Sequence, residues 1–209
     1  MKLLIVGATG LVGSHVLSQA LADSRVSSVV VLARRTLADH PKLRTVQVDF
    51  AHLPDDADWW QVDAVICALG TTMRAAGSEE AFRRVDHDYP LAVARLARHA
   101  GTPTYVLNSA IGADVGSRFF YNRVKGELER DLARLGFPSL TFVRPGLIGG
   151  HRAEFRPGER LSVLALTLLG PVLPKGWRLN PAERIAAALL DAAIAARPGT
   201  HVVTSDRLI

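Results

Sequence analysis

Tyr121 and Lys125 stand four residues apart in a stretch whose pattern predicts a helix from Arg118 to Leu135. Side chains at i and i+4 share a helix face, so a phenol and an ammonium would meet there. An ammonium beside a phenol favours the phenolate, which equips a tyrosine to exchange a proton with a carbonyl or alcohol oxygen. Ser109, expected at the tip of the preceding strand, is suited to hydrogen-bond the same oxygen. A second set of residues is built for phosphate. Gly7, Gly10 and Gly13 follow a short apolar run, with Thr9, Leu11 and Val12 completing the turn. Strand, glycine-rich turn and helix in that order let backbone N–H groups and the positive end of a helix approach a pyrophosphate closely. The spacing is G-x-x-G-x-x-G rather than the more familiar G-x-G-x-x-G.

The second expected strand ends in Arg34-Arg35, where an NAD-preferring site would present a carboxylate to the ribose hydroxyls. Guanidinium groups match a 2′-phosphate in charge and in fork geometry, so the expected cofactor is NADP(H) in preference to NAD(H). Asp49, with Phe50 after it, ends the third strand; its carboxylate would accept from an adenine amino group or cap the following turn. Cys67, Ala68, Leu69 and Gly70 form a small apolar fourth tip, suited to lie along the cofactor's ribose. Cys67 has no basic neighbour in sequence and reads as a packed small hydrophobe rather than a nucleophile.

These tips require a framework. Apolar runs at Leu3–Val6, Ser28–Ala33, Thr45–Val48, Asp63–Ala68, Thr104–Asn108 and Leu140–Val143 predict six strands, with a further one at His201–Thr204. Helical patterns lie between them at Leu11–Ala22, Ser78–His99 with Pro90 as a kink or join, Arg118–Leu135, and Pro181–Ala196 with Asn180 as N-cap. Continuous rather than alternating apolar strands, separated by helices, predict an α/β doubly wound parallel sheet with helices on both faces, in a single domain. Ligands in such a sheet sit outside the carboxyl ends of the strands, where the residues above are expected. The stretch 147–180 breaks the alternation and reads as a substrate-side flap, in which Arg152, Arg156 and Arg160 would grip an anionic substrate or simply be solvated, and Trp177 would stack on a substrate or, as tryptophan more often does, pack against the core.

Composition narrows the function classes. The chain has 209 residues, 48% hydrophobic and 22% charged, which is globular. One cysteine rules out an internal disulfide and a cysteine-rich metal site, and it fits a reducing, cytoplasmic setting. His87, His99 and His151 lack metal-ligand spacing and read as surface histidines; no metal is expected. Glu127 and Glu129, set among Arg123, Arg130 and Arg134, read as an exposed charged helix face. The net charge of +5 is scattered, with no basic run interleaved with aromatics, so no nucleic-acid partner is expected. The longest late apolar stretch, broken by Gly170 and Pro171, is too short to span a bilayer, so no membrane partner is expected either.

The motifs G-A-T-G-L-V-G (7–13), N-S-A (108–110), Y-N-R-V-K (121–125) and R-P-G (144–146) resemble those of the short-chain dehydrogenase/reductases over almost the whole chain. The glycine spacing is similar to the atypical or extended, epimerase-like branch. Within it, C-A-L-G-T-T (67–72), V-D-H-D-Y (85–89) and Y-N-R-V-K-G-E (121–127) are similar to the Tat-interacting-protein oxidoreductase group. The resemblance implies a Rossmann fold, NADP(H) at the strand tips and Tyr121 as the acid/base. It also implies Lys125 on the nicotinamide ribose, Ser109 orienting a carbonyl or alcohol substrate, and Arg144, Pro145, Gly146 and Leu147 lining the nicotinamide end. A homodimer through the helices at 78–99 and around Tyr121 is implied in the same way. The asparagine that completes the catalytic set in many members has no clear equivalent, and the corresponding helix offers Asp86. That departure keeps a cofactor-binding protein with little turnover in view. The short C-terminal part counts against a nucleotide-sugar epimerase or dehydratase.

Overall fold

A computed structural model describes residues 1–149 and 179–209 of the chain. Of the expected flap, residues 150–178 lie outside the described part, and with them His151, Arg152, Arg156, Arg160 and Trp177.

The first strand explains the architecture. In β1 (Lys2–Val6) every residue from Leu3 to Val6 is fully buried. Successive side chains on a strand point to opposite faces. Leu3 and Ile5 therefore pack into one apolar layer and Leu4 and Val6 into another. A strand buried on both faces must lie inside a sheet covered on both sides. That sheet also contains β2 (Ser28–Ala33), β3 (Leu43–Gln47), β4 (Ala64–Cys67), β5 (Thr104–Asn108), β6 (Ser139–Arg144) and β9 (Gly199–Thr204). Its order is β3-β2-β1-β4-β5-β6-β9, and every pairing is parallel. A separate two-stranded ladder joins β7 (Ile148–Gly149) to β8 (Asn180–Pro181). The fold is a Rossmann-like α/β single domain.

One face is covered by α1 (Leu11–Ala22) and α6 (Ala182–Ala195), whose Val16, Ala20, Ile185 and Leu189 meet Leu3, Ile5, Val29 and Ile66. The other face is covered by α4 (Tyr89–His99) and α5 (Phe120–Ala133), with Leu91, Ala94, Leu128 and Leu132 against Leu4, Val65 and Leu107. Short helices α2 (Met73–Ala76) and α3 (Glu79–Arg83) lead into α4. The chain order reverses between β1 and β4, so the crevice for a ligand opens above those two strands.

Two local expectations are revised. The helix expected over Ser78–His99 is interrupted by a π-helical turn, Arg84–Asp88, just before Pro90. Proline has no N–H for the preceding turn, and a widened turn absorbs the missing bond. Asn180 is not a helix cap. Its fully buried amide accepts from the Gly146 N–H at 2.7 Å and donates to the Ser205 carbonyl at 2.9 Å, and Pro181 takes the N-cap position.

Candidate active site

The glycine turn sits where β1 meets α1, and its three glycines have three different tasks. Gly7 has φ +85°, and an added Cβ would lie 2.5 Å from the Ala68 backbone, so the turn presses against the β4 tip. At Gly13 a Cβ would lie 2.0 Å from the Gly7 carbonyl oxygen, so only hydrogen lets the helix pack on the turn. At Gly10 nothing comes nearer than that same oxygen at 3.4 Å, leaving room above the backbone. Gly10 is also the N-cap of α1 and contributes no side-chain capping bond. This is a cradle a phosphate group fits: open at the middle glycine, closed at the flanking two, with a helix dipole pointing at it. Thr9 and Gly10 are exposed, Leu11 half-buried, and Val12 belongs to the core.

Beside the cradle, a cleft of about 210 Å³ is lined by Arg34, Val48, Asp49, Phe50, Ala81, Arg84, Val85 and Tyr89. Phe50 stacks on Tyr89 with ring centroids 5.8 Å apart. Arg34, Asp49 and Phe50 are thus brought together as the sequence suggested, whereas Arg35 is exposed and does not line the cleft. The Asp49 carboxylate accepts from the Ala51 N–H at 2.9 Å and meets His52 Nδ1 at 2.9 Å. His52, then the Ala51 amide, hold it below the usual carboxylate range. The turn cap, one of its two expected roles, is formed. Arg84, Val85 and Tyr89 were not legible as lining because the π-helical turn that presents them has no sequence periodicity of its own.

At the β4 tip, Cys67 is fully buried in the core, and burial pushes its thiol up. Its side chain therefore faces the apolar layer, and Ala68, Leu69 and Gly70 are what remains to lie along a ligand.

Tyr121 and Lys125 occupy one stripe of α5, as their spacing requires. Tyr121 is 40% exposed, with its ring edge-on to Phe82 at 5.8 Å. Lys125 is buried, and its ammonium lies 2.8 Å from the carboxylate of Asp86, which is itself 1% exposed. Burial alone would push Lys125 down. Asp86 and then Tyr121 act the other way and leave it above the ordinary lysine range. The other Asp86 oxygen accepts from the Thr71 N–H at 2.7 Å, so one carboxylate ties the β4 tip to α5. The π-helical turn brings Asp86 and His87 together to the buried side. His87 is correspondingly not a surface histidine: it is buried between Asp88 at 2.8 Å and Asp131 at 3.2 Å.

Ser109 is buried at the β5 tip, and its hydroxyl donates to Glu129 at 2.5 Å. Glu129, expected on an exposed face, is 5% exposed and also accepts from both Nε and Nη2 of Arg144. The Glu129 pairing holds the Arg144 guanidinium above its usual range. The spacing of Glu129, four residues past Lys125 on the same stripe, gave its helix face, but its partners Ser109 and Arg144 come from other elements and no local pattern announced them. Pro145 and Gly146 are braced through Ile111 N–H and Asn180, and Leu147 is half-exposed beyond them. Among the described residues no cluster of His, Cys, Asp and Glu could hold a metal ion, and no helix is long and apolar enough to cross a membrane.

The NAD(P)H-binding family matches residues 7–149, the span that contains the cradle, the cleft and the Tyr121 stripe. The chain belongs to the NAD(P)H-binding family. Relatives of this NAD(P)H-binding protein include the mitochondrial protein fmp52 of Emericella nidulans, 37% identical over 98% of this chain and 92% of that one. The protein of the same name from Aspergillus fumigatus is 38% identical with the same coverage. These relatives are named fmp52, not Tat-interacting proteins. They also correct the expected cytoplasmic setting, because both are named mitochondrial. A single cysteine reports on thiol chemistry and carries no address.

Among solved structures, MoeE5 in complex with UDP-glucose and NAD has a TM-score of 0.73 at 18% identity, covering 97% of this chain and 75% of that one. The PhqB reductase domain from Penicillium fellutanum has a TM-score of 0.69 at 22% identity, covering 97% and 66%. At these identities the likeness concerns the fold.

Proposed function

We propose that the protein is an NADP(H)-dependent oxidoreductase of the short-chain dehydrogenase/reductase type, acting on a carbonyl/alcohol pair. The observation that carries the reading is the pairing of a 40% exposed Tyr121 with a buried, charge-held Lys125 on one stripe of α5, in a chain whose β1 ends in the glycine cradle. A nicotinamide held at the strand tips would supply the hydride chemistry at the carbonyl or alcohol carbon. In the reducing direction the electron pair of the C=O bond moves to the oxygen, which takes the phenolic proton of Tyr121. The Lys125 charge stabilises the resulting phenolate, and the exposure of Tyr121 lets solvent return the proton. Gly7 to Gly13 would hold the pyrophosphate. Arg34 supports NADP(H) over NAD(H), because it lines the cleft next to the cradle and no acidic residue stands in its place. We also propose a mitochondrial setting, on the names of the relatives.

The test is NADPH-dependent reduction of a panel of aldehydes, ketones and quinones, together with NADPH and NADH affinities. Tyr121→Phe is expected to lower turnover by about 10²–10⁴-fold with NADPH affinity within about twofold of wild type. Unchanged turnover in that variant would overturn the mechanism. A second reading, a cofactor-binding regulatory protein, is motivated by Asp86 in place of the family's asparagine. It predicts NADPH affinity without reduction of any carbonyl in the panel.

A further inference from the structure

Tyr121, Lys125 and Glu129 are spaced i, i+4 and i+8 on α5, so the stripe that carries the proposed acid/base continues one turn deeper, to a carboxylate. That carboxylate is nearly sealed from solvent and accepts three hydrogen bonds, one from Ser109 Oγ and two from the Arg144 guanidinium. A carboxylate facing a guanidinium fork is an acceptor only. A serine hydroxyl has one proton, and here it points at Glu129. What Ser109 has left to offer a ligand is a lone pair.

We propose that Glu129 is a positioning residue that fixes Ser109 as a hydrogen-bond acceptor towards the substrate. This rests on the oxidoreductase reading above. A carbonyl oxygen is also an acceptor, so Ser109 has no proton to give it, and Tyr121 alone donates there. When Tyr121 is protonated, an alcohol oxygen keeps its own proton free to donate and is the oxygen Ser109 can hold. The Glu129–Ser109 contact thus makes Ser109 selective for the hydroxyl state of the substrate. It also joins the β5 tip to the β6 tip through Arg144, so the selective group and the Arg144-Pro145-Gly146 turn move as one unit.

The first test needs neither cofactor nor substrate. Proton NMR of the whole chain should contain a downfield, slowly exchanging hydroxyl proton with cross-peaks to the Glu129 methylene protons. It should vanish in Ser109→Ala and shift or vanish in Glu129→Gln. Its absence from the wild type, or its persistence unchanged in Glu129→Gln, would overturn the proposal; should Glu129→Gln fail to fold, the wild-type and Ser109→Ala spectra decide. The second test measures dead-end complexes, benzyl alcohol on the NADPH-loaded protein and benzaldehyde on the NADP⁺-loaded protein. Ser109→Ala should weaken benzyl alcohol about tenfold and benzaldehyde less than about twofold, the loss of one hydrogen bond. Equal weakening of both probes would refute the acceptor role. A wild-type protein that binds no NADPH would sink the oxidoreductase reading instead, and the hydroxyl-proton experiment would still judge the Glu129 contact by itself.

Discussion

Replacing Asp86 by asparagine removes one charge from a buried pair while keeping the side chain's size and an acceptor oxygen. The pair is 2.8 Å apart, with side-chain exposures of 4% for Lys125 and 1% for Asp86. At an effective dielectric of about 20, that separation corresponds to a gross attraction of about 6 kcal/mol, much of it offset by the desolvation of both ions. Removing one partner leaves the other buried and uncompensated, and the expected loss is about 3 kcal/mol. For a chain of this size that lowers Tm by about 6–12 °C. The pH dependence supplies an independent sign. In the wild type Lys125 is held above the ordinary lysine range, so its contribution is full below about pH 10.4 and is lost as pH rises through the folded value. In Asp86→Asn burial is unopposed by Asp86, the folded value drops below the unfolded one, and the unfolded chain binds the extra proton. Stability of the variant should then rise with pH up to about 10.4, where the wild type holds level. Urea unfolding between pH 7 and pH 11 measures both effects. Adding Lys125→Met to Asp86→Asn should recover most of the loss, because no charge is then stranded. A loss below about 1 kcal/mol, or the same pH slope in variant and wild type, would refute the argument.

Gly13→Ala should cost about 2–3 kcal/mol by forcing a methyl group into the Gly7 carbonyl, measured by urea unfolding. Gly10→Ala, at φ −80° with the Gly7 oxygen 3.4 Å from the added Cβ, should leave stability nearly unchanged and weaken NADPH binding by about tenfold or more, read by fluorescence titration. Arg34→Ala should lower NADPH affinity by about 10–100-fold and leave NADH affinity within about twofold, the loss of a charge-assisted contact to one phosphate. Cys67 should resist iodoacetamide in the folded protein and become labelled at the rate of unfolding, because burial both hides the thiol and pushes it up.

The sheet was legible from sequence because each central strand is buried on both faces and reads as an unbroken apolar run. Leu3–Val6 and Ser28–Ala33 are such runs, and helix α1 begins and ends where expected. Edges were less exact: β3 runs Leu43–Gln47 rather than Thr45–Val48, since an edge strand with half-exposed residues carries a weaker pattern. The site was legible wherever a residue's chemistry follows from local spacing, as for the glycine turn and for Tyr121 with Lys125. It was illegible where a role depends on a partner distant in sequence. Glu129 looks like one charge in a charged helix until Ser109 and Arg144, from two other elements, close on it. Asp86 acquires its place only through the π-helical turn, a local departure from the 3.6-residue period by which helices are recognised.

Asn180 acts as a staple. Its side chain holds Gly146 and the Ser205 carbonyl, and its backbone N–H donates to the Leu147 carbonyl at 2.8 Å. Residues 148 and 180 are paired neighbours in the parallel β7–β8 ladder. One residue thus fastens three backbone segments that are far apart in sequence: the turn after β6, the entry to α6 and the turn at Ser205.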